Sequence, residues 1–231
     1  MKSPLTLDVL FHIGPLPITE PVLATWIIMA LLTVGAWLST RRLSLQPSRF
    51  QAFLELIVET VDGQIRDTMQ VEPGLYRAFI GTLFLFIFVA NWSELIPGVE
   101  PPTAHVETDA ALALLVFVGV IYFGVRASGL QGYLATFASP TPFMIPLNFV
   151  ESLTRTFSLL VRLFGNVMSG VFVIGIVLSL AGLLVPIPLM ALDLLTGAVQ
   201  AYIFAVLAMV FIAGAISEGK PREKEHERTT A

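Results

Sequence analysis

Residues 147–182 read LNFVESLTRTFSLLVRLFGNVMSGVFVIGIVLSLAG, 36 residues without a proline. As one helix this run is roughly 54 Å long at ~1.5 Å per residue. A bilayer offers a hydrocarbon core of only about 30 Å. Three solutions exist: a strong tilt, a bend near Gly165 and Gly170, or a division into two shorter spans at Gly165 and Asn166. One continuous tilted helix is the expected one, spanning 147–184. Pro186 and Pro188 follow it directly and start a second long apolar run, 186–216, so the two form a long tilted hairpin.

Outward from this hairpin the chain holds three more apolar spans, 21–38, 75–96 and 108–125. Of the 231 residues, 55% are hydrophobic and 13% charged, with mean hydropathy +0.82. Soluble domains run near ~45–50% apolar and ~25% charged, so a bilayer is the natural solvent, and it requires helices or a closed barrel. Long continuous apolar runs exclude the short alternating strands of a barrel. Between the first two spans, at 47–70, Phe50, Phe53, Leu54, Ile57, Val58, Val61 and Ile65 recur at three-and-four spacing. Gln51, Glu55, Glu59, Asp62, Gln64 and Arg66 lie opposite, which reads as an amphipathic helix. The expected fold is therefore all-α and integral to the membrane, with five transmembrane helices plus one amphipathic helix. Residues 1–217 form a single membrane domain, and 218–231 form a charged tail.

The N-terminal MKSPLTLDVLFHIGPLPITEP lacks the pattern of a signal peptide, so the first span is expected to remain in the mature chain. Orientation follows from Lys and Arg. Arg41, Arg42, Arg49, Arg66, Arg77 and Arg126, with Lys220, Arg222, Lys224 and Arg228 in the tail, fall on one side, and Lys2 on the other. That places the N-terminus outside and the C-terminus in the cytoplasm.

Ionisable groups inside the spans are few. Glu151 and Arg155 stand at i,i+4, the spacing of a pair on one helix face; they are either a snorkelling pair or part of a polar access path. Arg162 lies among Leu159, Leu160, Val161, Leu163 and Phe164. Its charge is permanent, and mid-membrane placement costs at least ~2.5–3.5 kcal/mol. Its partner is either an acid of this chain, a carboxylate of another chain, or a water-filled cavity. Asp193, the one acid of the last span, stands near the outer end, which favours the partner chain or the cavity. Gln200 falls at a depth where a hydrogen bond to Arg162 is reasonable; otherwise it joins helices. Asn166 is one turn after Arg162, and Gly165, Ser169, Gly170 and Gly175 allow another helix to approach closely. At the outer side Asn91, Glu94, His105, Glu107, Asp109 and Asp193 gather, either as solvated interfacial groups or as an acidic vestibule for cations.

LLVRLFGNVMSG, residues 159–170, resembles the signature of subunit a of F-type ATP synthases, an arginine followed by Leu-Phe-Gly-Asn. NWSELIP at 91–97 is similar to that family's Asn-x-x-acid-x-x-Pro helix end. Pro102-Thr103-Ala104 resembles its approach to the next span, and QAYIF at 200–204 resembles its last helix. The resemblance implies an ion-translocating stator subunit of a rotary ATP synthase. Arg162 would face the carboxylates of a rotating c-subunit ring, with Gln200 and Asn166 beside it and Asp193 in the translocation path. Asn91, Glu94, His105, Glu107 and Asp109 become candidates for an outer half-channel. Asn148, Glu151, Arg155 and Ser158 become candidates for a cytoplasmic one.

It further implies the c ring, peripheral-stalk b subunits, other ATP synthase subunits and the lipid bilayer as partners, and the bacterial inner membrane as location. No cofactor, no metal and no nucleic acid are expected, and the ATP chemistry is expected in partner subunits. The chain departs from the family pattern at several positions. Val171 stands nine residues after the arginine, where an acid or His is common, and Asp193 stands seven before the glutamine, often His or Glu. Asn148 replaces a glutamate, and His105 replaces the Asp after Pro-Thr-Ala. H⁺ and Na⁺ both remain as the transported ion. A secondary transporter with its own midplane site is the alternative, and it should show repeated or broken helices.

Overall fold

The computed structural model describes residues 9–13, 16–41, 48–96, 100–137, 143, 145–182 and 185–217. Lys2, Arg42, Pro47, Pro97, Gly98, Leu183, Leu184 and the tail 218–231 lie outside the described residues. The membrane body is all helical. Before it stands an antiparallel hairpin of β1 (Val9–Ile13) and β2 (Leu16–Thr19), with a bulge between Val9 and Phe11. The sequence reading placed no element there. Its signal was Gly14-Pro15, a turn dipeptide between two short apolar runs.

Helix α1 (Glu20–Thr40) carries Pro21 in its first turn, where a missing N–H costs nothing. Only Pro21 and Ile28 are buried, while Trp26, Leu31, Val34 and Trp37 face outward. Helix α2 (Arg49–Met69) starts on Ser48, whose hydroxyl accepts from the Gln51 N–H at 3.3 Å. It ends on Gln70, in the left-handed conformation, which donates its N–H to the Arg66 carbonyl. Its C-terminal half buries Ile65 and Met69, and Asp62 pairs with Arg77 at the start of the next helix. Tyr202 also donates to Gln64 Oε1 at 2.9 Å, tying α2 to the last helix.

Helix α3 (Arg77–Trp92) continues into a 3-10 turn, Ser93–Leu95. A second 3-10 turn, Pro102–Ala104, leads into α4 (Val106–Phe137). The sequence reading ended the third span at 125. The helix instead runs past Arg126, because that guanidinium reaches one turn back to the Tyr122 hydroxyl at 2.9 Å and stays exposed. The break comes at Gly129, with φ 73° and ψ 163°. Helix α5 (Ile145–Ala181) is a continuous run of 37 residues, so Gly165 and Gly170 do not divide it. Helix α6 (Ile187–Ser217) completes the hairpin.

Among the described residues, five helices are long and apolar enough to cross a membrane: Glu20–Thr40, Arg77–Leu95, Val106–Tyr133, Ile145–Leu180 and Ile187–Ser217. The chain is thus an all-α membrane protein. Helix α6 is its hub and packs on α2, α3, α4 and α5. Lipid supplies no hydrophobic drive between helices, so close van der Waals packing must hold them. Gly197, Ala201, Ala205 and Ala208, all buried on α6, permit it.

Candidate functional site

At one end of the bundle a buried polar network fixes three elements. Asn91, the penultimate residue of α3, donates from Nδ2 to the Gly197 carbonyl of α6 at 2.9 Å. Its Oδ1 accepts from the Thr103 hydroxyl at 2.7 Å. Gly197 suits this close approach, since a Cβ would lie 3.1 Å from the Asn91 Cβ. Trp92 Nε1 donates to the Leu194 carbonyl at 3.2 Å. Together these contacts set the register of α6 against α3.

That register positions Asp193. Its carboxyl lies against Gly170 of α5, and any side chain at Gly170 would collide with it. Thr196 donates to Asp193 Oδ1 at 3.3 Å, and the Glu94 carboxyl lies within hydrogen-bonding reach of it. Two carboxylates this close repel each other when both are ionised. Asn91, Glu94 and Asp193 are therefore brought to the same end of the bundle. His105 is buried, with Nε2 3.6 Å from Glu100 Oε2. Asp109 is fully buried on the core-facing side of α4, and neither carboxyl oxygen has a hydrogen-bond partner among the described residues. Glu107 does not join the cluster; it is exposed on α4.

Arg162 sits at the midpoint of α5 with its side chain exposed. Among the described residues it forms no ion pair; the pairs are Arg77–Asp62, His105–Glu100 and Arg155–Glu151. The same side of the helix presents Gly165, Ser169, Phe172 and Ile176, all exposed, and a Cβ at Gly165 would meet nothing within 4 Å. Gly165 and Ser169 thus leave an open surface, whereas Gly170 is already used inside the chain by Asp193.

Depth follows from the antiparallel hairpin. Eight residues separate Gly170 from Arg162, about 12 Å along α5 at ~1.5 Å each. Eight residues on from Asp193, in the same direction, stands Ala201, next to Gln200. Gln200 and Arg162 therefore share a level, with Asp193 about two turns above. The expected hydrogen bond between them is not formed: Gln200 is buried, and its Nε2 has no partner among the described residues. The reason is direction, because Arg162 points out of the bundle and Gln200 into it. Asn166 is half-buried, and its carbonyl accepts from Ser169 at 2.9 Å.

Toward the other end an open groove of about 550 Å³ runs between α5 and α6. Glu151, Arg155, Ser158 and Arg162 line it, with Leu207 and Phe211 opposite. Glu151 and Arg155 form the i,i+4 pair, both about half exposed, and the Arg155 guanidinium lies 5.5 Å from the Phe211 ring centre. Asn148 is half-buried and stands outside the groove wall.

Sequence reasoning overlooked Thr103, Glu100 and Thr196 as members of the site. Thr103 stood in the quoted Pro-Thr-Ala stretch, but its role needs the tertiary contact with Asn91.

A family described as ATP synthase A chain matches residues 22–213. ATP synthase subunit a 2 of Bradyrhizobium sp. (strain BTAi1) is 58% identical over 215 residues, covering 93% of this chain and 96% of that protein. ATP synthase subunit a 2 of Pelobacter propionicus is 45% identical over 97% of this chain and 99% of its own length. ATP synthase subunit a 1 of Chlorobaculum parvum is 50% identical over 94% and 95%.

Proposed function

This chain belongs to the ATP synthase A chain family, and from that premise we propose how it couples ion flow to rotation. Membership makes it the ion-translocating subunit of the membrane sector, with other ATP synthase subunits as partners. Our reading is that α5 presents Arg162 to a ring of c subunits, each bringing a carboxylate past it in turn. Two half-channels reach Arg162 from opposite ends. The outer one runs by Asn91, Glu94 and Asp193 to the level of Gln200. The cytoplasmic one is the groove lined by Glu151, Arg155 and Ser158, ending on Arg162.

An ion, H⁺ or Na⁺, enters from outside and neutralises a ring carboxylate, which can then move into lipid. After a turn of the ring it leaves by the other path. Arg162 keeps the paths apart: its fixed charge repels a free cation and holds the facing carboxylate ionised. A membrane potential supplies ~2.3 kcal/mol per charge per 100 mV. The peripheral-stalk b subunits would hold this chain still against the ring. The location is the bacterial inner membrane, with the C-terminus in the cytoplasm.

The observation that carries this reading is Arg162: permanently charged, mid-helix, exposed, without an acid among the described residues, and flanked by the open stripe of Gly165 and Ser169. A charge at membrane depth needs a partner, and this face leaves room for one on another chain. Arg162→Ala is expected to abolish ATP-driven ion pumping in inverted vesicles while the complex still assembles. Arg162→Lys is expected to fail as well, because the planar fork is lost. Near-normal pumping by Arg162→Ala would overturn the reading.

A further inference from the structure

The outward surface of α4 is concave. A groove of about 500 Å³ runs along it, lined by Ala111, Leu115, Val118, Gly119 and Tyr122, with Phe79 of α3 as its side wall. The wall stands there because position 119 is glycine: a Cβ would come within 2.6 Å of the Phe79 ring. Phe123 meets that ring edge-on, with centroids 5.6 Å apart, and itself packs against Tyr76 and Tyr122 at 4.9 and 5.2 Å. The Tyr122 hydroxyl is the only polar side-chain atom in the lining. Apolar side chains are ordinary on a lipid-facing helix, but a concave strip must be filled if its lining is to keep its van der Waals contacts.

One turn beyond Tyr122 stands Arg126. Its guanidinium is exposed and donates to the Tyr122 hydroxyl at 2.9 Å. It forms no ion pair among the described residues, where the pairs are Arg77–Asp62, His105–Glu100 and Arg155–Glu151. Its charge also reaches the Tyr76 phenol at the start of α3. Tyrosines and an arginine at the end of an apolar span mark the headgroup level of a bilayer.

The length of the groove selects its occupant. Ala111 and Tyr122 are eleven residues apart, about 16 Å along α4 at ~1.5 Å per residue. One leaflet contributes about 15 Å, half of the ~30 Å hydrocarbon core. The groove is thus about one leaflet long and begins one turn inside Arg126. A helix crossing the membrane would need a face about twice as long.

We propose that this groove binds one acyl chain of an anionic phospholipid, whose phosphate pairs with Arg126. Free phosphate shares the charge but not the chain, so the apolar lining commits the site to lipid. The inference stands apart from the ion path, because none of the residues assigned to that path lines the groove. A zwitterionic lipid carries its own cation beside the phosphate and competes with Arg126 for it, which gives the site a preference for net negative headgroups.

The test uses the whole complex in phosphatidylcholine liposomes. One set carries a trace of phosphatidylglycerol with a diazirine on its acyl chain, and the other carries the same diazirine chain on phosphatidylcholine. After illumination the labelled residues are mapped by mass spectrometry. Labelling is expected within residues 111–122, about fivefold stronger from phosphatidylglycerol, the factor equivalent to ~1 kcal/mol for one basic side chain at an anionic surface. Arg126→Gln should bring the two probes level, and Arg126→Lys should keep most of the preference, because a point charge still pairs with phosphate. Val118→Trp fills the middle of the groove and should cut labelling by both probes several-fold; it carries the test alone if Arg126→Gln does not assemble. Equal labelling of the parent by the two probes, a preference that survives Arg126→Gln, or full labelling of Val118→Trp overturns the site. Labelling of the isolated chain but not of the complex also overturns it, because another subunit then covers the groove. Excess inorganic phosphate should leave the labelling unchanged, and loss of label on its addition would contradict the acyl-chain assignment.

Discussion

Replacing Asn91 by Ala removes both hydrogen bonds that fix α6 against α3 and the 3-10 turn Pro102–Ala104. The Gly197 carbonyl and the Thr103 hydroxyl lose their partner, and Thr103 is fully buried. Interhelical hydrogen bonds in membrane proteins average ~0.6 kcal/mol and reach ~1.7. Orphaned buried groups in soluble proteins cost ~1–3 each. The membrane value governs here, because the unfolded chain in lipid also finds partners, and two bonds then give a loss of about 1–3 kcal/mol. Thr103→Val removes one bond and should cost about 0.6 kcal/mol, with a coupling of similar size between the two changes. Gly197→Ala should also destabilise, because its methyl meets the Asn91 Cβ at 3.1 Å, and the Asn91→Ala background should relieve it. Unfolding of the purified chain in mixed micelles by SDS titration, followed by tryptophan fluorescence, reads all five variants, three single and two double. Additive losses for Asn91 and Thr103, or Gly197→Ala equally harmful in both backgrounds, would refute the network as the origin of the α6 register.

Gly170→Ala should displace the Asp193 carboxyl and slow ion-driven ATP synthesis while Gly165→Ala, in open space, leaves it near the parent rate. Asp193→Asn keeps the shape and removes the charge; it should slow synthesis and shift its dependence on outside pH or Na⁺, with assembly intact, and an unchanged rate across that titration would place ion uptake elsewhere. Asp62→Asn weakens the pair with Arg77, which is about half exposed, so only a small loss is expected in the same SDS titration.

The long hairpin was legible in the sequence because its signals are local: a proline-free apolar run, two prolines, and a second run. Arg162 was legible for the same reason, since it stands among Leu159, Leu160, Val161, Leu163 and Phe164, seven residues past the Glu151–Arg155 pair. What the sequence hid depends on direction around a helix and on contacts across it. Gln200 and Arg162 share a depth but point to different sides, which spacing along the chain does not reveal. Helix α4 outruns Arg126 because a tyrosine one turn back receives the guanidinium, so a charge marked a false end. Gly170 resembled Gly165 as a small residue for a partner helix, yet only the packing of Asp193 against it separates the two. The N-terminal hairpin was missed because its strands are short and their turn signal is a single dipeptide.

The central claim is that the open face of α5 lies against the ring. The chain has no cysteine, so Ser169→Cys introduces a single thiol on that face, and Val118→Cys places one on the exposed side of α4. Each is paired, in the assembled complex, with a cysteine beside the carboxylate of the c subunit, and oxidation tests for a disulfide, which forms only when Cα atoms come within about 7 Å. The account predicts cross-linking from Ser169→Cys and none from Val118→Cys. Cross-linking from Val118→Cys with none from Ser169→Cys would contradict it.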